Sequence, residues 1–216
     1  MTFREEVPWL PTDSQEFDQG RNIAVPEHEY QAWKQPGFHV LEVGTGTNAS
    51  AMRELLKDGI SAIGLEPGLN YNDDKDRCRS LREDPQLKKR IVGLNAVDAI
   101  DHPLMLPEGV DVIFAQNINF AQYVFTIPEL LTQIHGLLSC LSTQQKESYL
   151  TFESLDHGLI FTTRGEHPTS LDLGAYLDQR NARWTVRENK YGMPYVVIYR
   201  TNAQGQDLVE RFIKQS

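Results

Sequence analysis

The run Val40-Leu-Glu-Val-Gly-Thr-Gly-Thr-Asn48 restricts the fold of this chain more than any other stretch. Apolar residues up to Val43 meet two closely spaced glycines, and Met52, Leu55 and Leu56 then recur on one helical face. A buried strand must therefore turn sharply into a helix within a few residues. Glycine suits such a turn because it adopts backbone angles that other residues avoid and lets a ligand approach the main chain. N–H groups at the start of the helix attract electron-rich atoms, which is why nucleotides recur at this place in open α/β sheets. In a bare turn without a ligand, Gly44 and Gly46 would be needless losses of backbone order.

The rest of the chain repeats the unit. Phe38–Val43, Ile60–Leu65, Ile91–Asn95, Asp111–Ala115 and Tyr149–Glu153 read as five strands. Between them the pattern predicts a helix capped by Asn48 and stopped by Gly59, and a polar helix from about Asp73 to Leu87. A third helix, opened by Pro128, carries Leu130, Leu131, Ile134, Leu137 and Leu138 on its inner side. Strands alternating with helices imply a mostly parallel sheet covered on both faces. After a helix near Leu171 to Asn181, Arg183–Glu188 and Tyr195–Arg200 flank a tight turn and must pair antiparallel, and a last helix is expected over Asp207–Lys214. Residues 1–36, with Pro11, Pro26 and Pro36, read as an arm or cap containing one short helix from Pro26 to about Gln35. Val25, Tyr30 and Trp33 of that arm can cover the core of a domain formed by residues 37–216.

The glycine run resembles the first motif of class I S-adenosylmethionine-dependent methyltransferases, an acid followed after one residue by three alternating glycines. Glu42, Gly44 and Gly46 match it, with Thr45 between the glycines and Asn48 in the third glycine's place. The resemblance implies a Rossmann-like, seven-stranded, mostly parallel sheet with helices on both faces and a C-terminal antiparallel hairpin. It also implies S-adenosylmethionine as cofactor. Glu66, followed by Pro67, stands where the family places an acid that accepts from both ribose hydroxyls, a task suited to the paired oxygens of a carboxylate. Asp98 and Ala99 stand where the adenine is met, and Gln116 and Asn117 where the methionine part reaches the acceptor.

Other readings compete. Gly44-Thr-Gly-Thr-Asn-Ala49 also satisfies the dinucleotide fingerprint in its Gly-x-Gly-x-x-Ala form, with Glu66 as ribose acid, so a nicotinamide-dependent oxidoreductase is the rival enzyme. Glu42, the Asp98-Ala99 pair and the closing hairpin weigh toward methyl transfer. A methyltransferase-like protein that binds without catalysing is a third reading, because fold does not imply function. For catalysis the candidates in loops expected at the carboxyl ends of strands are His157, ranked first as a base, Tyr123 and Arg164.

Charge narrows the acceptor. With 21 Lys and Arg against 30 Asp and Glu, the net charge of −9 repels phosphate backbones, so a small molecule is expected in place of nucleic acid. The basic run Lys88-Lys89-Arg90 follows Arg82-Glu83-Asp84 and reads as a solvated helix end. No stretch approaches the roughly 18 apolar residues of a membrane span, and Met1-Thr-Phe-Arg-Glu-Glu lacks an apolar signal core, so no membrane partner and a cytoplasmic location are expected. Cys78 and Cys140 have no metal-ligand spacing and are expected as buried or free thiols.

Overall fold

Central strands of a parallel sheet are buried on both faces, so their side chains alternate between two hydrophobic layers. The computed structural model of the chain follows this rule; it describes residues 23–46, 48–70, 78–94, 96–99, 108–116, 126–145, 147–153, 159–162 and 169–213. In chain order the strands are β1 (His39–Val43), β2 (Ser61–Leu65), β3 (Ile91–Val92), β4 (Val112–Ala115), β5 (Tyr149–Glu153), β6 (Leu159–Thr162), β7 (Thr169–Asp172), β8 (Trp184–Glu188) and β9 (Pro194–Tyr199). The helices are α1 (Glu27–Trp33), α2 (Ser50–Lys57), α3 (Arg79–Glu83), α4 (Ala96–Ala99), α5 (Ile127–Cys140), α6 (Leu173–Asp178) and α7 (Leu208–Ile213). Seven strands form one sheet in the order β3-β2-β1-β4-β5-β9-β8, parallel from β3 to β5 and antiparallel at β5-β9-β8.

Leu41, Ile63, Ile113 and Leu150 face a layer closed by Leu130, Ile134 and Leu137 of α5. Val40, Ala62, Val112 and Phe114 face the opposite layer, closed by Met52 and Leu55 of α2 and by Tyr30 and Trp33 of α1. Cys78 and Cys140 are buried free thiols in opposite layers, and burial pushes the Cys140 thiol up to about 11. Among the described residues, no helix is long and apolar enough to cross a membrane.

Several expected elements are shorter, for local reasons. The polar helix is only α3 within the described residues, because Pro85 disfavours helical angles at Asp84, which is extended (φ −77°, ψ 114°). The Asp84 carboxylate then accepts from Gln86 N at 2.9 Å and stops the helix. Pro26 lies one residue outside α1, and α5 begins at Ile127 because Thr126 and Glu129 form a reciprocal capping box with Pro128 just inside. The helix expected from Leu171 starts at Leu173, since Asp172 ends β7 and caps Ala175 N at 2.9 Å. β6 and β7 form a separate antiparallel ribbon, so Leu159–Thr162, expected within a loop, is a strand.

One buried carboxylate ties α1 to the antiparallel end of the sheet. Glu29 Oε1 accepts from Tyr195 OH at 2.9 Å and from Arg187 Nη1, and Oε2 accepts from Tyr149 OH at 3.1 Å. Trp33 Nε1 donates to the same Tyr149 hydroxyl at 3.3 Å, and Arg187 Nη2 donates to Tyr199 OH at 2.6 Å. The cross-strand register, Tyr149 opposite Tyr199 and Arg187 opposite Tyr195, puts these groups on one face. Burial, reinforced by the Glu29 charge, raises both the Tyr149 and Tyr195 phenols well above their usual range.

Replacing Glu29 with alanine strands three donors, although the Arg187 side chain keeps 34% of its exposure and recovers some hydration. The expected loss is about 2 kcal/mol in urea unfolding, with a smaller loss for Glu29→Gln, which retains an acceptor oxygen.

Candidate functional site

Among the described residues between β1 and α2, left-handed backbone occurs at Gly44 (φ 70°), Gly46 (φ 64°) and Ala49 (φ 46°). The first two are the glycines of the sequence motif. The third falls on a residue with a Cβ, one position after Asn48, so the expected capping role of Asn48 is not met. Ala49 is the residue preceding α2, no side chain caps that helix, and Asn48 offers its backbone carbonyl to Arg53 Nε at 3.3 Å.

The N–H groups of Gly44, Thr45 and Gly46 are committed within the protein. Gly44 N and Thr45 N donate to Leu65 O at 2.8 and 3.3 Å, which extends the β1–β2 pairing into the turn. Gly46 N donates to Glu66 Oε2 at 2.7 Å, while Glu66 Oε1 accepts from Gly68 N at 3.0 Å and closes the turn begun by Pro67. Glu66 thus clamps the two loops together, and each of its oxygens has a second lone pair. The first part of the loop therefore presents bonded N–H groups and not a free donor cradle.

What the loop does hold is two buried polar groups. Glu42 is 5% exposed and Thr45 6% exposed, and among the described residues neither Glu42 Oε2 nor Thr45 Oγ1 has a hydrogen-bond partner. Burial, then repulsion by the nearby Glu66 charge, lifts the Glu42 carboxyl from 4.5 to about 8. Thr45 fits because β2 carries a glycine beside it: a Cβ on Gly64 would lie 2.4 Å from Thr45 Cγ2 and 2.9 Å from Met52 Cε. Gly64 follows the acid motif by about one strand–helix unit, yet nothing in the local sequence separates it from an ordinary strand glycine.

The other predicted residues fall along the same sheet edge. Ala99 is fully buried and Asp98 exposed on α4, which follows β3, and Gln116 follows β4 directly. Asn117, Tyr123, His157 and Arg164 lie outside the described residues. Gln116 has a partner that sequence reasoning missed: its Oε1 accepts from Ala24 N at 2.7 Å. Ala24 O in turn accepts from Lys190 N, in the β8–β9 turn, at 3.0 Å. Beneath this crossing lies a cavity of about 30 Å³ walled by Ala24, Val25, Phe114, Ala115, Gln116, Thr151, Phe152, Asn189 and Tyr195. No sequence signal links Ala24 to Gln116, because they are 92 residues apart and neither belongs to a motif.

The strand order reverses between β1 and β4, so the glycine loop and Gln116 leave the sheet on either side of one crevice. This order, with its antiparallel β5-β9-β8 end, is the fold of the class I S-adenosylmethionine-dependent methyltransferases. A SAM-dependent methyltransferase from Methanosarcina mazei shares it at 14% identity with a TM-score of 0.51, over 82% of this chain and 98% of that one. The SAM-bound amino pentose methyltransferase of calicheamicin biosynthesis from Micromonospora echinaspora is similar at 14% identity and TM-score 0.51, over 81% and 88% of the two chains. No family model matches the sequence, and neither does any curated protein.

Two outcomes test the loop. A carboxyl whose folded value is raised to about 8 takes up protons on folding, so it costs stability as pH rises from about 4.5 through about 8. The unfolding free energy of the wild type should therefore fall across that window relative to Glu42→Gln, which lacks the ionisation; parallel pH profiles would show that Glu42 titrates normally. Ala49→Gly removes the left-handed penalty but adds chain entropy, for a net gain of about 0.5 kcal/mol in unfolding free energy, read as a higher denaturant midpoint at unchanged slope.

Proposed function

We propose that this chain is an enzyme that binds S-adenosylmethionine at the β1–α2 loop and transfers its methyl group to a small-molecule acceptor. The observation that carries the reading is the pair of buried polar atoms without a partner among the described residues, Glu42 Oε2 and Thr45 Oγ1, beside a loop whose first N–H groups are already bonded. A pyrophosphate needs free donors, so the bonded N–H groups of Gly44, Thr45 and Gly46 disfavour a dinucleotide. A ligand with hydroxyl and cationic donors has the opposite requirements, and S-adenosylmethionine carries a ribose diol, an ammonium and a sulfonium.

On this reading the second lone pairs of Glu66 receive the ribose hydroxyls, with Pro67 shaping the turn beneath them. Gly44, Thr45 and Gly46 let the ligand approach the main chain, and Glu42, mostly protonated at neutral pH in the empty loop, gives up its proton when the ligand's cation draws its value down from about 8. Asp98 accepts from the adenine amino group, and Ala99 meets the ring through its backbone N–H. Gln116 and Asn117 border the methionine end. The cofactor, when bound, supplies an activated methyl on a positively charged sulfur. A proton carried by the acceptor passes to His157 or, second, to Tyr123. The protein's own task is chiefly to orient the partners and exclude water, and residues 1–36 serve it as a cap over the domain.

Calorimetry with S-adenosylmethionine, S-adenosylhomocysteine and NAD tests the assignment: the two sulfur nucleosides should bind and NAD should not. Glu66→Ala should weaken binding by roughly 10- to 100-fold, the scale of one charge-assisted hydrogen bond, while the folded protein survives. Tight NAD binding without response to either sulfur nucleoside overturns the reading.

A further inference from the structure

We infer that the cavity at the ends of β4, β5 and β9 is the acceptor pocket for an uncharged, ring-bearing molecule, and that Ile23–Val25 is a strap latched over it by Gln116. The inference rests on the methyl-transfer reading for the meaning of the pocket, not for its shape. Ile23, Ala24 and Val25 are 0%, 6% and 7% exposed, so this segment is packed as tightly as the core. Both backbone polar groups of Ala24 are committed, the N–H to Gln116 Oε1 at 2.7 Å and the carbonyl to Lys190 N at 3.0 Å. The strap therefore bridges the end of β4 and the β8–β9 turn directly above the cavity.

The space as it stands is too small for such a molecule. About 30 Å³ holds roughly one water, whereas ligand pockets run to hundreds of cubic ångströms. Ala24 and Val25 belong to the wall, so lifting the strap is the change that enlarges the space.

Lining chemistry selects the occupant. Phe114, Phe152 and Tyr195 offer aromatic faces, Thr151 a hydroxyl, and Gln116 and Asn189 amides; no described side chain of the wall is charged. Asn189 Oδ1 already accepts from Tyr191 N and Met193 N, so the side it has left to offer is its NH₂ donor. The Tyr195 hydroxyl is held by Glu29 at 2.9 Å, and Glu29 is in turn matched by Arg187, so neither provides a counter-charge for a ligand ion. An ion buried among these groups would lack compensation, whereas a neutral ring gains stacking and one or two hydrogen bonds.

The test uses the full chain with phenol, benzoate and benzylamine as probes, each titrated by NMR with and without saturating S-adenosylhomocysteine, whose own affinity is measured separately. Phenol should bind at least roughly tenfold more tightly than either ion of similar shape. Hydrogen exchange reads the latch: Gln116→Ala should accelerate exchange at the Ala24 amide. Gln116→Ala and Ala24→Pro, the latter lacking the donor, should each accelerate exchange at the Lys190 amide by roughly five-fold, with tighter phenol binding in both. Benzoate or benzylamine binding as well as phenol, no probe binding under either condition, or wild-type exchange at Lys190 in both variants overturns the inference. Selective phenol binding without any response to S-adenosylhomocysteine would leave the pocket standing and remove the methyl-transfer reading instead.

Discussion

Parallel pairing of β1 on both of its edges, with β2 on one side and β4 on the other, is the constraint from which the candidate site follows. A strand so placed is covered above and below, and all its parallel neighbours release their chains at the same edge. Glu42 is buried because it belongs to that strand, and its raised carboxyl is a consequence of position before it is a matter of ligand chemistry. The same geometry brings the Gly44–Gly46 loop and Glu66 to adjacent strand ends, where one carboxylate spans both turns.

This site is unusual in how it spends its polar groups. A phosphate-binding glycine loop exposes donors, but here Leu65 O and Glu66 take the N–H groups of Gly44, Thr45 and Gly46. Two buried polar atoms, Glu42 Oε2 and Thr45 Oγ1, are left without partners among the described residues. Buried polar atoms of this kind are costly, and proteins seldom retain them without a use. The bonded N–H groups of Gly44, Thr45 and Gly46 weigh against a pyrophosphate more directly than motif spacing does.

At the other end of the sheet, Glu29 performs a different service. Strands β5, β8 and β9 are joined to α1 by charge-assisted hydrogen bonds from residues 120 to 166 positions away, so the segment before β1 is fixed to strands made late. The strap at Ile23–Val25 leads into α1, and its position over the cavity depends on that anchoring. The Tyr195 ring, a wall of the cavity, is oriented by the same carboxylate.

Much of this was readable locally. Strands β1, β2, β4 and β5, the stop at Gly59, and the closing hairpin follow from hydrophobic period and turn residues that act over a few positions, and Glu42, Gly44, Gly46 and Glu66 stand out by type and spacing. What the tertiary structure alone decided are matters of partnership. Whether loop N–H groups face a ligand depends on a carbonyl of the neighbouring strand, and whether Thr45 fits depends on the missing Cβ of Gly64. Glu29 looks like any helix-surface acid until β5, β8 and β9 arrive above it, and Ala24 has no distinguishing chemistry until Gln116 meets its N–H. Periodicity reports which face of an element is buried; burial of one polar group against another is set by long-range pairing, which leaves no period in the chain.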